Sequence, residues 1–176
     1  MLHEVTIPKL GFAAYSGSGK TTLLTKVIPL LVVAGLRIGL IKHGHHNFQI
    51  DQPGKDSYRL REAGAEQVLL VGRRRSALII EHPQPTQEPR LEDQFKHLDC
   101  EQLDLILVEG FKHAAIPKIE VYRSSMGHPQ LYINDSHIIA LVTDTAPEIL
   151  PNIPVLDINQ PQQVADFILN QWLTHD

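Results

Sequence analysis

The stretch Ala14-Tyr15-Ser16-Gly17-Ser18-Gly19-Lys20-Thr21 constrains this chain more than any other. It meets the phosphate-loop pattern G-x-x-x-x-G-K-[ST] at every fixed position but the first, where Ala14 replaces Gly. An apolar run ending at Ala14 precedes it and reads as a buried strand, Leu10–Tyr15 with the turn included. A helical pattern follows from Lys20. A strand–loop–helix unit of this kind turns several backbone N–H groups toward one anion, with a helix N-terminus behind them. Gly17 and Gly19 permit backbone conformations that a Cβ forbids. Lys20 is the catalytic candidate, an ammonium beside the β/γ-phosphates, and Thr21 offers a hydroxyl to Mg²⁺. Ser16, Ser18 and Thr22 are small, polar and suited to phosphate contact. The plainer alternative is a Gly/Ser turn before a Lys-capped helix; the flanking strand and helix favour the phosphate loop.

Apolar runs alternate with helical patterns along the rest of the chain. Lys20–Ala34 carries Leu23, Leu24, Val27, Ile28 and Leu31 on one stripe. Pro29 is expected to kink or shorten that helix, and Gly35 to cap it. Arg37–Lys42 reads as a strand and Pro53–Ala63 as a short helix. Gln67–Val71 and Ala77–Glu81 read as strands joined across Gly72-Arg73-Arg74-Arg75, most simply a hairpin. Three prolines between His82 and Pro89 exclude regular structure there. Leu91–Leu98 reads as helical, Leu103–Val108 as a strand buried on both faces, and Ile138–Val142 and Pro154–Leu156 as further strands. Lys118–Tyr122 and Gln130–Ile133 flank a turn-rich segment and read as an antiparallel extension, a natural edge for subunit pairing. Gln160–Leu173 closes the chain as an amphipathic helix. The pattern predicts an α/β fold with a mainly parallel central sheet flanked by helices, with ligands at the carboxyl ends of the strands.

Composition narrows the class. At 176 residues, 43% hydrophobic and 20% charged, the chain suits one nucleotide-binding domain over 1–176. A net charge of −4 gives no global basic field for nucleic acid. The single Cys100 fits a reducing compartment. No apolar stretch approaches the ~18 residues of a membrane span, and Glu4 and Pro8 interrupt any signal-peptide pattern. The expectation is a cytoplasmic protein without a membrane partner.

A second constellation runs from Asp104 to His113. Its apolar strand ends in Glu109, a carboxylate placed to hold Mg²⁺ beside the loop hydroxyl, directly or through water. Gly110 lets the chain turn away near the phosphates. Lys112 and His113 follow at the same end and read equally as substrate contacts or as loop surface. Asp104, at the far end of the strand, is given no role. Lys42-His43-Gly44-His45-His46 also emerges at the ligand end. Its histidines suit a metal, a phosphate or acid–base work, but the spacing is not that of a closed zinc site. Asp51 is open between orienting a water or Mg²⁺ and a helix-entry role. Asp56 and Ser57 read as surface compatible with the helix dipole. Arg73-Arg74-Arg75 reads as a solvated turn.

Together, Phe12 to Leu24, Gly39 to His46, Asp51-Gln52-Pro53-Gly54-Lys55-Asp56-Ser57-Tyr58 and Leu103 to His113 resemble the MobB family, adapter proteins of molybdopterin-guanine dinucleotide biosynthesis. The phosphate loop alone is widely shared. The His-x-His-His, Pro-Gly-Lys-Asp-Ser and Val-Glu-Gly-Phe-Lys-His segments in this order are far more specific, and Ala at the first loop position is usual in that family. The resemblance covers nearly the whole chain. It implies a phosphate-loop GTPase fold, GTP with Mg²⁺, weak hydrolysis and a homodimer. It also implies work beside the nucleotidyltransferase that attaches GMP to molybdopterin. The base-reading pattern Asn-Lys-x-Asp is absent, and Asp144, at the end of Leu141-Val142-Thr143, is the candidate to accept hydrogen bonds from guanine. Neither an arginine finger nor a catalytic glutamine is evident, which agrees with slow hydrolysis. A small-molecule kinase or ligase, and a metallochaperone GTPase using His43, His45 and His46, are the alternatives.

Overall fold

The apolar run ahead of the loop forms β1 (Lys9–Ala13), buried from Leu10 to Ala13. A computed structural model describes residues 7–44, 50–82, 88–147 and 151–174. The chain divides into two compact units, Met1–His43 with Leu91–Asp176, and Gly44–Arg90.

The first unit is built on a parallel sheet. Its strands are β1, β2 (Ile38–Lys42), β5 (Leu105–Glu109), β6 (Lys118–Tyr122), β7 (Ile138–Thr143) and β8 (Val155–Asp157). Their spatial order is β2-β5-β1-β6-β7-β8. All of β5 is buried, and its side chains alternate between two apolar clusters: Leu105 and Leu107 join one, Ile106 and Val108 the other. That is the period of two expected of a strand covered on both faces. On the first face lies α1 (Lys20–Val33), burying Leu23, Leu24, Val27 and Leu31 as its stripe predicts. Each fully buried Leu there contributes roughly 1.5–3 kcal/mol. Beside it, α3 (Pro161–Phe167) buries Val164, Ala165 and Phe167 and runs on into a π-helical turn, Ile168–Trp172.

α1 runs through Pro29 with no shortening there. It stops at Gly35, where φ is 97° and two bonds form: Gly35 N–H to Val32 O (3.0 Å) and Leu36 N–H to Leu31 O (3.2 Å). This is the Schellman closure. The second face is covered by Leu91, Phe95, Leu98 and Leu103. The helix expected over Leu91–Leu98 is instead a turn followed by a 3-10 turn at Phe95–His97.

One expectation is overturned. β6 is no antiparallel edge: it lies between β1 and β7 and is parallel to both. Its expected partner, Gln130–Ile133, holds a 3-10 turn, Leu131–Ile133. The carboxylate of Glu120, 1% exposed, accepts the N–H groups of Leu131 (2.7 Å) and Tyr132 (2.9 Å) at the start of that turn. Burial raises the pKa of Glu120 against those two hydrogen bonds. Lys118, 2% exposed, donates to Asp135 Oδ2 (2.7 Å), Ala114 O (2.7 Å) and Lys112 O (3.2 Å), so all three of its N–H bonds are used. Glu120 and Lys118 are thus buried and satisfied in the middle of the sheet.

The second unit holds α2 (Asp56–Glu62) and an antiparallel hairpin of β3 (Gln67–Val71) and β4 (Ser76–Ile80), with Leu69 opposite Leu78. Gly72 N–H donates to Arg75 O (2.9 Å), so the three arginines make the turn. Leu69, Leu70, Val71 and Leu78 are exposed.

Candidate functional site

β1, β5 and β2 end side by side, with Phe12 and Lys42 both in register with Glu109. The phosphate loop leaves β1 at this edge. Ser18, 3% exposed, folds back on Tyr15: its N–H (3.3 Å) and its Oγ (2.8 Å) both donate to Tyr15 O. Gly19 takes φ 89° at the N-cap of α1, a left-handed conformation that a side chain disfavours. Ser16 and Gly17 are exposed at the crest, and Thr21 and Thr22 are exposed in the first turn of α1. Lys20 Nζ lies across the loop, donating to Ala14 O (3.3 Å). Burial lowers the pKa of Lys20, with Glu109 opposing and Lys42 adding to the shift. A phosphate anion arriving there would stabilise the charged form.

Glu109 is 9% exposed, and two side chains reach its carboxylate. Thr21 Oγ1 donates to its Oε1 (3.2 Å), and Lys42 Nζ lies 3.3 Å from Oε1 and 3.1 Å from Oε2. Among the described residues, no three His, Cys, Asp or Glu side chains gather as a metal cage. One hydroxyl and one carboxylate converging at a phosphate loop instead fit Mg²⁺, which binds few protein oxygens and keeps water and phosphate ligands.

After Glu109 the backbone reverses through Gly110 (φ 90°) and Phe111 (φ 47°). A Cβ on Gly110 would lie 2.7 Å from His43 Cβ, so Gly is required. Left-handed Phe111 carries strain of order 1–3 kcal/mol. Its ring stacks on that of His43 (centroids 4.6 Å apart), and His43 N–H donates to Glu109 O (2.8 Å). Lys112 Nζ sits 5.9 Å from the centre of the Tyr15 ring, at the foot of the loop. His113 is exposed.

The segment after β6 lies along the outside of the loop. His128 stacks on Tyr15 (4.3 Å), and the Met126 methyl group would lie 3.2 Å from a Cβ on Gly17. Arg123 Nε donates to Ser18 O (3.2 Å). Arg123 also pairs with Asp144 Oδ2 (3.5 Å), while Asp144 Oδ1 accepts the N–H (3.2 Å) and Oγ (3.3 Å) of Ser124. Burial pushes the Asp144 carboxyl up, but these bonds outweigh it and the pKa is lowered.

The structure therefore brings Lys20, Thr21, Glu109, Gly110, His43 and Lys112 to one end of the sheet. Asp144 ends β7 at that same end, bound to Arg123 and Ser124. Asp51 belongs to the other unit. Its Oδ1 accepts Gln52 N–H (2.9 Å) and Ser57 Oγ (2.9 Å), tying it to the first turn of α2. Its Oδ2 is buried with no hydrogen-bond partner among the described residues, an arrangement suited to a water or cation ligand. His45 and His46 lie outside the described residues. Lys42 and Arg123 were missed as site residues. The signal for Lys42 was a lysine ending an apolar strand directly before the histidines. For Arg123 it is an arginine directly after β6, before a turn.

A parallel sheet with a phosphate loop after an inner strand and a carboxylate ending its neighbour defines a phosphate-loop protein of the α/β class. The sequence profile described as "MobB: Molybdopterin guanine dinucleotide synthesis protein B" matches residues 9–144, and the chain belongs to that family. It is 47% identical over 176 residues to the molybdopterin-guanine dinucleotide biosynthesis adapter protein of Escherichia coli (strain K12), covering 98% of this chain and 97% of that one. The protein so named in Haemophilus influenzae is 48% identical over 169 residues, covering 96% and 91%. The solved structure of Bacillus subtilis MobB aligns with a TM-score of 0.70 at 20% identity, over 94% of this chain and 97% of that one, and supports the fold alone.

Proposed function

We propose that this chain is a GTP-binding adapter of molybdopterin-guanine dinucleotide biosynthesis, with slow GTPase activity. It works in the cytoplasm as a homodimer beside the nucleotidyltransferase that attaches GMP to molybdopterin. The observation that carries the nucleotide reading is the convergence of Lys20, Thr21 and Glu109 where β1 and β5 end. The loop N–H groups from Ser16 to Thr22 bind the phosphates, and Lys20 neutralises charge at the β/γ end. Thr21 and Glu109 would hold Mg²⁺, which supplies further charge neutralisation when bound. His43, Gly110 and Lys112 border the phosphate end. Asp144 reads guanine by exchanging Ser124 or Arg123 for the base N–H groups. In phosphate-loop enzymes an arginine finger is worth ~10³–10⁵ in rate, and no motif for one is evident in the sequence, which agrees with slow turnover.

The relatives' names support the biosynthetic role. Calorimetry with GTP and ATP, each with Mg²⁺ and with EDTA, tests the nucleotide reading. The expected result is preferential, Mg²⁺-enhanced binding of GTP that Lys20→Ala abolishes without lowering the melting temperature. Equal affinity in a folded Lys20→Ala variant would overturn it. Asp144→Asn should shift preference from GTP toward xanthosine triphosphate; an unchanged preference removes Asp144 as the base reader.

A further inference from the structure

We propose that Lys42 is a positioning residue that holds the Glu109 carboxylate until nucleotide arrives, and so makes divalent-cation binding depend on nucleotide. The proposal rests on the reading of Thr21 and Glu109 as the cation's protein ligands.

The geometry is specific. Lys42 is the last residue of β2, paired in register with Glu109, the last residue of β5. In-register neighbours on parallel strands project to the same face of a sheet. The Lys42 ammonium lies within 3.3 Å of Oε1 and 3.1 Å of Oε2, while Thr21 Oγ1 reaches Oε1. The two charges differ in freedom: the Glu109 side chain is 12% exposed, that of Lys42 54%. The carboxylate is held and the ammonium can move.

A nearly buried carboxylate is costly without a counter-charge, and Lys42 provides one. The same lone pairs are those a cation beside Thr21 must share. Two positive charges on one small carboxylate repel each other strongly where water is largely excluded. Lys42 and the cation therefore exclude each other, and the cation binds only when Lys42 finds another anion. Nucleotide phosphates on the loop at Gly17–Thr21 are such an anion, and they lie at the same edge of the sheet. Phosphate draws Lys42 away, and the cation takes its place. Because coupling between two sites is reciprocal, the cation in turn tightens nucleotide binding.

Mn²⁺, read by its electron paramagnetic resonance signal, is the probe, titrated into the full chain with and without GDP. The wild type should bind Mn²⁺ weakly alone and far more tightly with GDP. In Lys42→Met, Mn²⁺ should bind the nucleotide-free protein more tightly by at least ~5-fold, the lower end of ordinary coupling between sites, and the gain on adding GDP should shrink. Lys42→Arg keeps the charge and should restore the wild-type pattern. Unchanged or weaker Mn²⁺ binding by folded, nucleotide-free Lys42→Met overturns the proposal, as does an equal effect of Met and Arg. Mn²⁺ binding with GDP that survives Glu109→Gln in an otherwise unaltered chain overturns the metal-site reading itself, and this proposal with it.

Discussion

Arg123 shows how a single side chain ties the phosphate loop to the rest of the sheet. It satisfies the Ser18 carbonyl on the loop and pairs with Asp144, so two strands beyond β1 help hold the loop's shape. Arg123→Ala should weaken triphosphate binding by about tenfold in calorimetry, because a hydrogen bond from a charged donor is worth about 1.5–3 kcal/mol and solvent replaces part of it. The melting temperature should change little, since Arg123 is partly exposed. Lys118 is the contrasting case. Lys118→Met removes all three donors from a buried site, and urea denaturation should report a loss of about 2–3 kcal/mol. Lys20, Thr21 and Glu109 were legible in the sequence because their roles follow from local patterns: a loop before a helix, an acid ending an apolar run. Lys42, Arg123 and Lys118 were not. Their partners lie 67, 105 and 17 residues away, and only the strand order brings them together.

At the scale of elements, the end of the sheet away from the site is clamped. Arg37 donates through its backbone N–H (2.8 Å), Nε (3.0 Å) and Nη2 (2.8 Å) to the Asp104 carboxylate, and Asp104 N–H donates to Arg37 O (2.8 Å). The clamp joins the residues that lead into β2 and β5, the strands that carry Lys42 and Glu109 at their other ends. Arg37 pulls the pKa of Asp104 from 3.8 to about 2. A carboxyl whose pKa is depressed on folding stabilises the fold above its unfolded value and loses that contribution as pH falls through its folded value. The stability gap between wild type and Asp104→Asn should therefore be constant above pH ~5 and close as pH falls from about 4 to about 2; a gap that persists at pH 2 would refute the linkage. Most strands and α1 could be read from periodicity. β6 was misplaced because its polar ends, Lys118 and Tyr122, and the following turn-rich stretch look like an edge. Parallel order is set by partners distant in sequence, which periodicity does not encode.

At the scale of the whole molecule, the hairpin of β3 and β4 carries apolar residues that are exposed among the described residues. A lone two-stranded sheet is marginal in water, yet Leu69 (61% exposed), Val71 (75%) and Leu78 (45%) stand open on it. On the homodimer reading proposed above, a second copy of the chain covers them, in place of the β6 edge expected from sequence. Leu69→Lys combined with Val71→Lys should shift the protein from dimer to monomer in analytical ultracentrifugation; an unchanged sedimentation coefficient would exclude this face. The strand order also bears on how the protein is made. β1 ends at Ala13, and both its neighbours, β5 and β6, are made only after residue 104. Until β5 and β6 are made, the glycine loop has no neighbouring strands and its apolar strand awaits a place in the sheet. A nascent chain arrested before Tyr122 should expose Leu10–Ala13 to chaperones and, on the nucleotide reading proposed above, bind no GTP until β5 and β6 are complete.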